Sequence, residues 1–151
     1  TPLAYIGVFI DEEAEVVARY AKELNLYGVQ LHGKEDQAYI KTLKALLPPT
    51  VKIIKALAVI DGVPPMEDKN VDHYLLDGRS AGSGQPFDWH LLDDLPLENC
   101  FLAGGLNQDN IKEALRFKVF GLDFNSGTES ELGKKDDKKL KAIFARIHDN
   151  A

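Results

Sequence analysis

Short apolar or β-branched runs alternate along the chain with longer stretches in which apolar residues recur every three or four positions. This alternation is typical of βα units, in which each strand of a parallel sheet is followed by a helix. Most runs are almost continuously apolar, as expected for strands that are covered on both faces. The predicted strands are residues 5–10, 27–32, 51–59, 73–77, 100–103 and 119–124.

Three of the intervening stretches pair a helix-capping residue with an apolar stripe at helical spacing. The predicted caps are Asp11, Asn107 and Asp136. The corresponding stripes are Val17, Tyr20, Ala21 and Leu24; Ile111, Ala114 and Leu115; and Leu140, Ile143, Phe144 and Ile147. Residues 35–46 predict a further helix and residues 87–92 a short one, whereas the prolines between 60 and 68 leave room for a turn.

The spacing of the units leaves two architectures open. Six units at roughly 24 residues each fit either a (β/α)₈ barrel that lacks two units or an open, doubly wound six-stranded sheet. A complete barrel of this kind needs about 200 residues, and the chain has 151. Because Thr1 and Pro2 lead directly into a strand, we expect an artificial N-terminus and a single, partial domain over residues 1–151.

Composition excludes several classes of protein. With 44% hydrophobic and 28% charged residues and no 18-residue apolar run, the chain predicts a globular cytoplasmic protein with no membrane partner. The net charge of −6 argues against a nucleic-acid partner. A single cysteine, Cys100, forms no internal disulfide, and no Cys/His cluster has the spacing of a zinc site. The paired lysines at 134–135 and 138–139 are expected on the solvated face of the last helix.

Polar residues close four of the predicted strands, where a barrel carries its catalytic groups. Period-two alternation puts Gln30 and His32 on one strand face, and likewise Asp123 and Asn125. Asp77 ends the fourth strand. Taken singly, His32 could be an ordinary loop histidine and Asp77 a turn former before a glycine. Their joint placement at strand ends favours a site.

Two strand endings have the features of an anion site. Gly104 and Gly105 precede the Asn107 helix start, and Asn125, Ser126 and Gly127 follow the last strand. Both arrangements expose backbone N–H groups, which favour phosphate. The last two strands of a barrel are the usual place for such a site.

Four separated motifs resemble phosphoribosylanthranilate isomerase in that family's order and approximate spacing. They are VQLHG at 29–33, LLD at 75–77 with GSGQPFDW at 82–89, AGGL at 103–106, and GLDFNSG at 121–127 with GKKD at 133–136. The resemblance implies an incomplete (β/α)₈ TIM barrel with the third to eighth units present. The last motif is similar to the isomerase half of bifunctional enzymes that carry indole-glycerol-phosphate synthase at their N-terminus, which implies a fused or missing N-terminal segment.

The resemblance also implies an activity and a site. The family converts N-(5-phosphoribosyl)anthranilate into an amino-deoxyribulose phosphate by an Amadori rearrangement of tryptophan biosynthesis, without a cofactor or metal. Asp77 matches the general acid. The residues that match substrate contacts are His32 and Asp123 at the mouth and Gly104, Gly105, Asn125 and Ser126 near the phosphate. Asn125 stands where many relatives have serine, so the resemblance leaves its side-chain contact undefined.

Two functional residues of the family have no counterpart here. The catalytic base is a cysteine in a first-strand motif that this sequence does not contain. Cys100 lies four residues before Gly104, roughly 13 Å below the strand's end, and is expected to be a packed thiol. The anthranilate-binding arginine is also missing, and Arg79 lies in a different loop. We therefore expect little isomerase activity from this chain alone.

Other functions remain compatible with these residues. Another phosphate-binding barrel, of the sugar-phosphate epimerase or indole-glycerol-phosphate synthase type, would place metal ligands or a catalytic lysine at strand ends. Lys55 lies inside a strand and is expected to be an interior ion-pair partner. A noncatalytic phosphate-binding module is the third hypothesis. In each case the outer strands, 5–10 and 119–124, would present open edges that invite self-association.

Overall fold

The structure, a computed structural model, describes residues 3–78 and 86–149. Its strands are β1 (Ile6–Phe9), β2 (Gly28–Leu31), β3 (Lys52–Val59), β4 (His73–Gly78), β5 (Cys100–Leu102), β6 (Gly121–Leu122), β7 (Glu129–Glu131) and β8 (Lys134–Lys135). Its α-helices are α1 (Ala14–Glu23), α2 (Gln37–Leu46), α3 (Ile111–Ala114) and α4 (Asp137–His148). Single 3₁₀ turns span Trp89–Leu92 and Ser126–Thr128.

The six predicted strands form one sheet whose strands follow each other in chain order, β1-β2-β3-β4-β5-β6. The pairs β1–β2, β2–β3 and β5–β6 are parallel. A doubly wound sheet would reverse its strand order at a switch point, and this sheet does not. Sequential order is that of the (β/α)₈ barrel, so the predicted α/β fold class is confirmed and the doubly wound alternative is excluded.

The chain divides into two compact units: residues 1–57 with 65–75, and residues 58–64 with 76–151. In the first unit, α1 and α2 pack against the strands through fully buried aliphatic side chains. They include Val17, Leu31, Leu43, Ile53 and Ile54. Asp72 joins α2 to β3, because its carboxylate accepts from Lys44 at 2.7 Å and from the Ile53 amide at 2.9 Å. The prediction of a single domain stays a prediction.

The second unit is built on β5 and β6 and on the helices that follow them. Its fully buried side chains include Leu76, Leu92, Leu102, Leu106, Ile111 and Ile143. The ladder between β4 and β5 reaches Ala103, whose amide donates to the Leu76 carbonyl at 2.9 Å. The amide of Asp123 extends the β5–β6 ladder by donating to the Leu102 carbonyl at 2.9 Å. These bonds set the positions along the sheet at which the loops after β4, β5 and β6 begin.

The predicted N-cap at Asp11 is wrong. Helix α1 begins at Ala14, and Glu13 precedes it without a side-chain capping bond. Asp11 has a φ of 50° and its carboxylate instead accepts from the Lys34 amide at 2.5 Å. A short Asp side chain can bond a nearby backbone amide instead of capping a helix, and here that amide belongs to the following βα loop.

The predicted apolar stripes are only partly buried. In α1, Val17 and Ala21 are buried, whereas Tyr20 and Leu24 are exposed. In α4, Ile143 is buried and Phe144 is 56% exposed. Spacing fixes which side chains share a helix face, but burial also depends on what lies opposite that face.

Asn107 acts as a cap, as predicted, but it does not cap the α-helix. Its side-chain oxygen accepts from the amides of Asp109 at 2.8 Å and Asn110 at 3.3 Å, which caps a turn. The α-helix itself begins only at Ile111, after Asn110. The Asp136 cap is confirmed: its carboxylate accepts from the amides of Lys138 and Lys139 at 2.8 and 3.0 Å.

The lysines at 134 and 135 do not belong to the last helix, contrary to the prediction. They form β8, which pairs antiparallel with β7 through a tight turn at Gly133, whose φ is 77°. A positive φ is strained for most residues and ordinary for glycine, so Gly133 allows the chain to reverse before Asp136 starts α4. Lys138 and Lys139 do lie in α4.

No helix within residues 3–78 and 86–149 combines the length and the apolar character needed to cross a bilayer.

Candidate active site

Asp77 lies one residue before the end of β4, and its side chain is partly buried. Its Oδ1 atom accepts from the backbone amide of Gly78 at 2.7 Å. Because Ala103 is bonded to Leu76 across the ladder, the next residue of each strand, Asp77 on β4 and Gly104 after β5, meet at the carboxyl end of the sheet. The predicted acid, Asp77, and the predicted phosphate loop at Gly104 are therefore neighbours, as expected.

Gly104 must be glycine for two separate reasons. Its φ is 84°, in the left-handed region, and a Cβ built on it would lie 2.5 Å from Asp77 Oδ1 and 3.1 Å from the Gly78 nitrogen. Gly105 also has a positive φ, of 68°. The missing side chain at 104 lets the loop backbone approach the carboxylate.

Two asparagines shape the rest of the β5 loop. The Gly105 carbonyl accepts from Asn107 Nδ2 at 3.0 Å and from Asn110 Nδ2 at 2.9 Å. Asn107 donates its own amide to Asn110 Oδ1 at 2.9 Å. These bonds use the carbonyl of Gly105 and leave the loop turned tightly over the start of α3.

The loops after β5 and β6 touch at Gly127. A Cβ at residue 127 would overlap the carbonyl oxygen of Leu106 and would stand 3.0 Å from Asn107 Cβ. Only glycine permits this approach. The two segments that the sequence predicts to bind phosphate are thus in direct contact at Gly127.

The carbonyl of Asn125 is the centre of the β6 loop. It accepts from the Thr128 amide at 3.1 Å, from Thr128 Oγ1 at 2.7 Å and from Lys135 Nζ at 2.9 Å. Lys135 Nζ also bonds Asn125 Oδ1 at 3.1 Å and Glu129 Oε1 at 2.9 Å. The asparagine side chain is therefore engaged by Lys135, while Ser126 begins the 3₁₀ turn and is exposed.

The pKa of Glu129 is lowered, first by the hydrogen bond from Lys135 and then by the Gly133 amide. Glu129 therefore stays ionised and holds Lys135 against Asn125. Sequence reasoning missed Thr128 and Lys135 as supports of this loop. The GKKD motif was the available signal, because it follows the loop directly.

His32 lies in the first unit, directly after β2. Its amide donates to the Phe9 carbonyl at 2.9 Å, and its ring Nε2 lies 2.7 Å from Gln30 Nε2. The intervening Leu31 is fully buried on the opposite face. The predicted sharing of one strand face by Gln30 and His32 is confirmed.

Asp123 is partly buried and follows β6, which ends at Leu122 rather than at 124. Regular alternation therefore stops before Asn125, whose φ of −122° and ψ of −99° are not those of a strand. The prediction that Asp123 and Asn125 share a strand face does not hold, because the chain has already turned into the loop.

A protein-family model for N-(5'phosphoribosyl)anthranilate (PRA) isomerase matches residues 1–146. The chain belongs to the PRA isomerase family. Among curated relatives, the tryptophan biosynthesis protein TrpCF of Salmonella typhi is 47% identical over 146 residues, which are 97% of this chain and 32% of that protein. The chain therefore spans about a third of the length of such relatives.

Solved PRA isomerases share the fold. The enzyme from Thermus thermophilus superimposes with a TM-score of 0.83 at 32% identity, covering 99% of this chain and 74% of that one. A PRA isomerase in complex with reduced 1-(o-carboxyphenylamino)-1-deoxyribulose 5-phosphate gives a TM-score of 0.72 at 28% identity, covering 95% and 71% of the two chains.

Cys100 lies on β5 and is fully buried. Burial, and then the charge of Glu98, raise the pKa of its thiol to about 11. A thiol in this state is a poor proton acceptor at neutral pH. The prediction that Cys100 is a packed strand residue is confirmed.

Lys55 is the interior ion-pair partner that the sequence predicted. It is buried on β3, and its Nζ lies 2.7 Å from Glu35 Oε2. Arg79 and residues 82–85 of the GSGQPFDW motif lie outside the described residues. Within residues 3–78 and 86–149, no group of three or more His, Cys, Asp or Glu side chains has the arrangement of a metal site.

Proposed function

We propose that this chain supplies the general acid and the phosphate site of a phosphoribosylanthranilate isomerase. The observation that carries the proposal is the close approach of Gly104 to the Asp77 carboxylate, with the Gly127 loop packed on Leu106 beside it. An acid and two glycine-rich loops are what a phosphorylated, ring-opening substrate requires.

In the proposed reaction Asp77 donates its proton to the ribose ring oxygen of N-(5-phosphoribosyl)anthranilate. The C1′–O bond breaks, and the nitrogen lone pair forms a Schiff base with C1′. A base then removes the C2′ proton, the electron pair moves toward the nitrogen to give an enolamine, and tautomerisation yields the amino-deoxyribulose phosphate. The resemblance leaves this base to a segment outside residues 1–151.

The substrate's phosphate would be held by backbone amides of the β5 and β6 loops. Amides of Gly105, Ser126 and Gly127 belong to turns whose carbonyls are already bonded, so their dipoles are fixed before ligand arrives. His32 and Asp123 would contact the sugar and anthranilate part. Asn125 would act through its backbone, since its side chain is bonded to Lys135.

The open edge of β1 supports a proposal about partners. Ile6 and Val8 are exposed on β1, with Val8 59% exposed, and Ile10 just after the strand is exposed as well. An apolar edge strand of this kind pairs readily with another strand, from a second copy or from a further segment. Light scattering should give a mass above the monomer's for the chain alone, and Val8→Lys should lower it.

A chimera tests the proposed activity. Residues 1–146 of this chain replace the matching segment of the Salmonella typhi relative, and formation of the amino-deoxyribulose phosphate is measured. We expect turnover from the chimera and none from the chain alone. Both should bind reduced 1-(o-carboxyphenylamino)-1-deoxyribulose 5-phosphate, the reduced product analogue. A chimera that folds and binds the analogue without turnover would instead support a noncatalytic phosphate-binding module.

A further inference from the structure

Lys55 is a buried lysine whose three donors are all used. Its Nζ donates to Glu35 Oε2 at 2.7 Å, to the Gly33 carbonyl at 2.7 Å and to the Leu31 carbonyl at 3.4 Å. An ammonium group has three N–H donors, so it has none left for a substrate. Lys55 is therefore a support within the first unit and not a catalytic lysine.

Glu35 is equally occupied. While Oε2 bonds Lys55, Oε1 accepts from the Asp11 amide at 2.9 Å and from the Gly33 amide at 3.2 Å. Its side chain is 1% exposed. Burial raises the pKa of Glu35, but the bonds from Lys55 and from the Asp11 amide outweigh it, so the pKa is lower than its ordinary value.

The partners of this ion pair lie on both sides of His32. Lys55 binds the carbonyls of Leu31 and Gly33, and Glu35 binds the Gly33 amide. The peptide groups before and after His32 are thus anchored to two buried charges. The bond from the His32 amide to the Phe9 carbonyl fixes the remaining donor.

The side chain of His32 is held as well. Its ring Nε2 lies 2.7 Å from the side-chain nitrogen of Gln30, so a hydrogen bond joins the two side chains. An anchored backbone and a side chain bonded to Gln30 together set the direction in which the imidazole faces.

Stability alone does not explain the pair. Removing two charges from water carries a large desolvation penalty, and well-packed apolar side chains often stabilise such a position as well or better. An apolar pair could not bind two carbonyls and two amides at once. The arrangement is therefore better explained by the geometry that it imposes on the loop.

We propose that Lys55 and Glu35 are positioning residues, which hold the peptide groups on either side of His32 so that its imidazole faces the phosphorylated substrate. This inference rests on the proposed function for the identity of the ligand. It adds two residues that do not themselves contact substrate.

Four variants of the full chain test it: Lys55→Met, Glu35→Gln, the double variant, and Lys52→Met as the matched control. Lys52 lies on the same strand but is partly exposed, and its bond, at 3.3 Å, goes to Asp72. Nitrogen NMR of the His32 ring, unfolding free energy and the Kd of the reduced product analogue are measured for each. His32→Asn gives the affinity that remains without the imidazole.

We expect Lys55→Met and Glu35→Gln to change the His32 ring nitrogen shifts and to weaken analogue binding by about tenfold or more. Each single variant leaves one buried charge unpaired, so both lose stability. The double variant should regain part of that stability but neither the ring shifts nor the affinity. Lys52→Met should leave both unchanged. A purely structural pair would instead recover binding together with stability.

The proposal would be overturned if Lys55→Met kept the parent's His32 ring shifts and its affinity for the analogue. It would also be overturned if His32→Asn bound the analogue as tightly as the parent does. Failure of the parent chain to bind the analogue would count against the proposed function. The ring shifts need no ligand, so they would still decide whether the ion pair positions His32.

Discussion

A Cβ atom at Gly104 would stand 2.5 Å from Asp77 Oδ1, well inside van der Waals contact. The carboxylate at the end of β4 and the glycine after β5 therefore fit each other only while residue 104 has no side chain. This relationship joins the predicted acid to the predicted phosphate loop within one compact unit.

A comparison of Gly104→Ala with Gly133→Ala separates the effect of backbone strain from the effect of the Gly104–Asp77 contact. Both glycines have positive φ, but a Cβ at Gly133 meets nothing within 4 Å. Gly133→Ala should cost about 1–2 kcal/mol of unfolding free energy. Gly104→Ala should cost about 1–3 kcal/mol more, because the new methyl group displaces the carboxylate.

Denaturant titration measures both losses, and chimera turnover shows their functional effect. Only Gly104→Ala should reduce turnover. Equal losses of stability and unchanged turnover in the two variants would mean that the Gly104–Asp77 contact is not required.

Thr128→Val tests the support of the β6 loop. The variant keeps the shape of a buried side chain but removes the Oγ1 bond to the Asn125 carbonyl. We expect a loss of about 1 kcal/mol in unfolding free energy, together with weaker analogue binding. Thr42→Val is the control, because the Thr42 hydroxyl bonds a helix carbonyl, that of Ala38, at 3.0 Å. Binding that falls equally in both variants would contradict the assignment.

Much of this framework could be predicted from the sequence. Runs such as those that form β2 and β3 are mostly apolar and pair on both sides, so their position and class follow from composition. The polar strand ends at Gln30 and His32 follow from alternation alone. The hairpin β7–β8 could not be predicted this way, because its strands are short and polar and Lys135 is held by a bond to the preceding β6 loop.

Caps and burial were the less predictable features. Asp11 has the residue type of an N-cap, yet its carboxylate bonds the Lys34 amide, a partner that only the tertiary structure supplies. Phe144 shares a face with the buried Ile143 and is nevertheless exposed. In both cases the outcome depends on which other parts of the chain lie nearby, and local spacing carries no information about that.

Cys100 should be inert in the folded chain. Its thiol is buried with a pKa raised to about 11, so a disulfide reagent at pH 8 should react only after urea unfolds the protein. Cys100→Ser should also leave chimera turnover similar to that of its parent. Rapid labelling of the native chain, or turnover lost from a folded variant, would contradict the packed-thiol assignment.

Acid should destabilise the first unit through Asp72. Burial raises the pKa of Asp72, but the bonds from Lys44 and the Ile53 amide outweigh it and lower the pKa overall. A carboxyl whose pKa is lower in the folded state stabilises the protein above its unfolded pKa of about 4 and loses that contribution as the pH falls through the folded value.

Unfolding free energy should therefore fall with decreasing pH below about 4. The fall should be shallower in Asp72→Asn, which has no such carboxyl, and in Lys44→Met, which removes the cation that lowers the pKa. A slope identical to that of the parent chain in both variants would show that this ion pair does not contribute to the pH dependence.

The most direct test of the account is turnover by the chimera that carries Asp77→Asn. The amide keeps the size of the side chain but cannot donate a proton to the ring oxygen, so kcat should fall by about 10²–10⁴-fold. Analogue binding should stay within about threefold of the parent. Asp88→Asn is the control, because Asp88 caps the turn at Trp89 by accepting from the His90 amide at 3.0 Å, which asparagine also does. Near-normal turnover by Asp77→Asn would contradict the central claim that Asp77 is the acid.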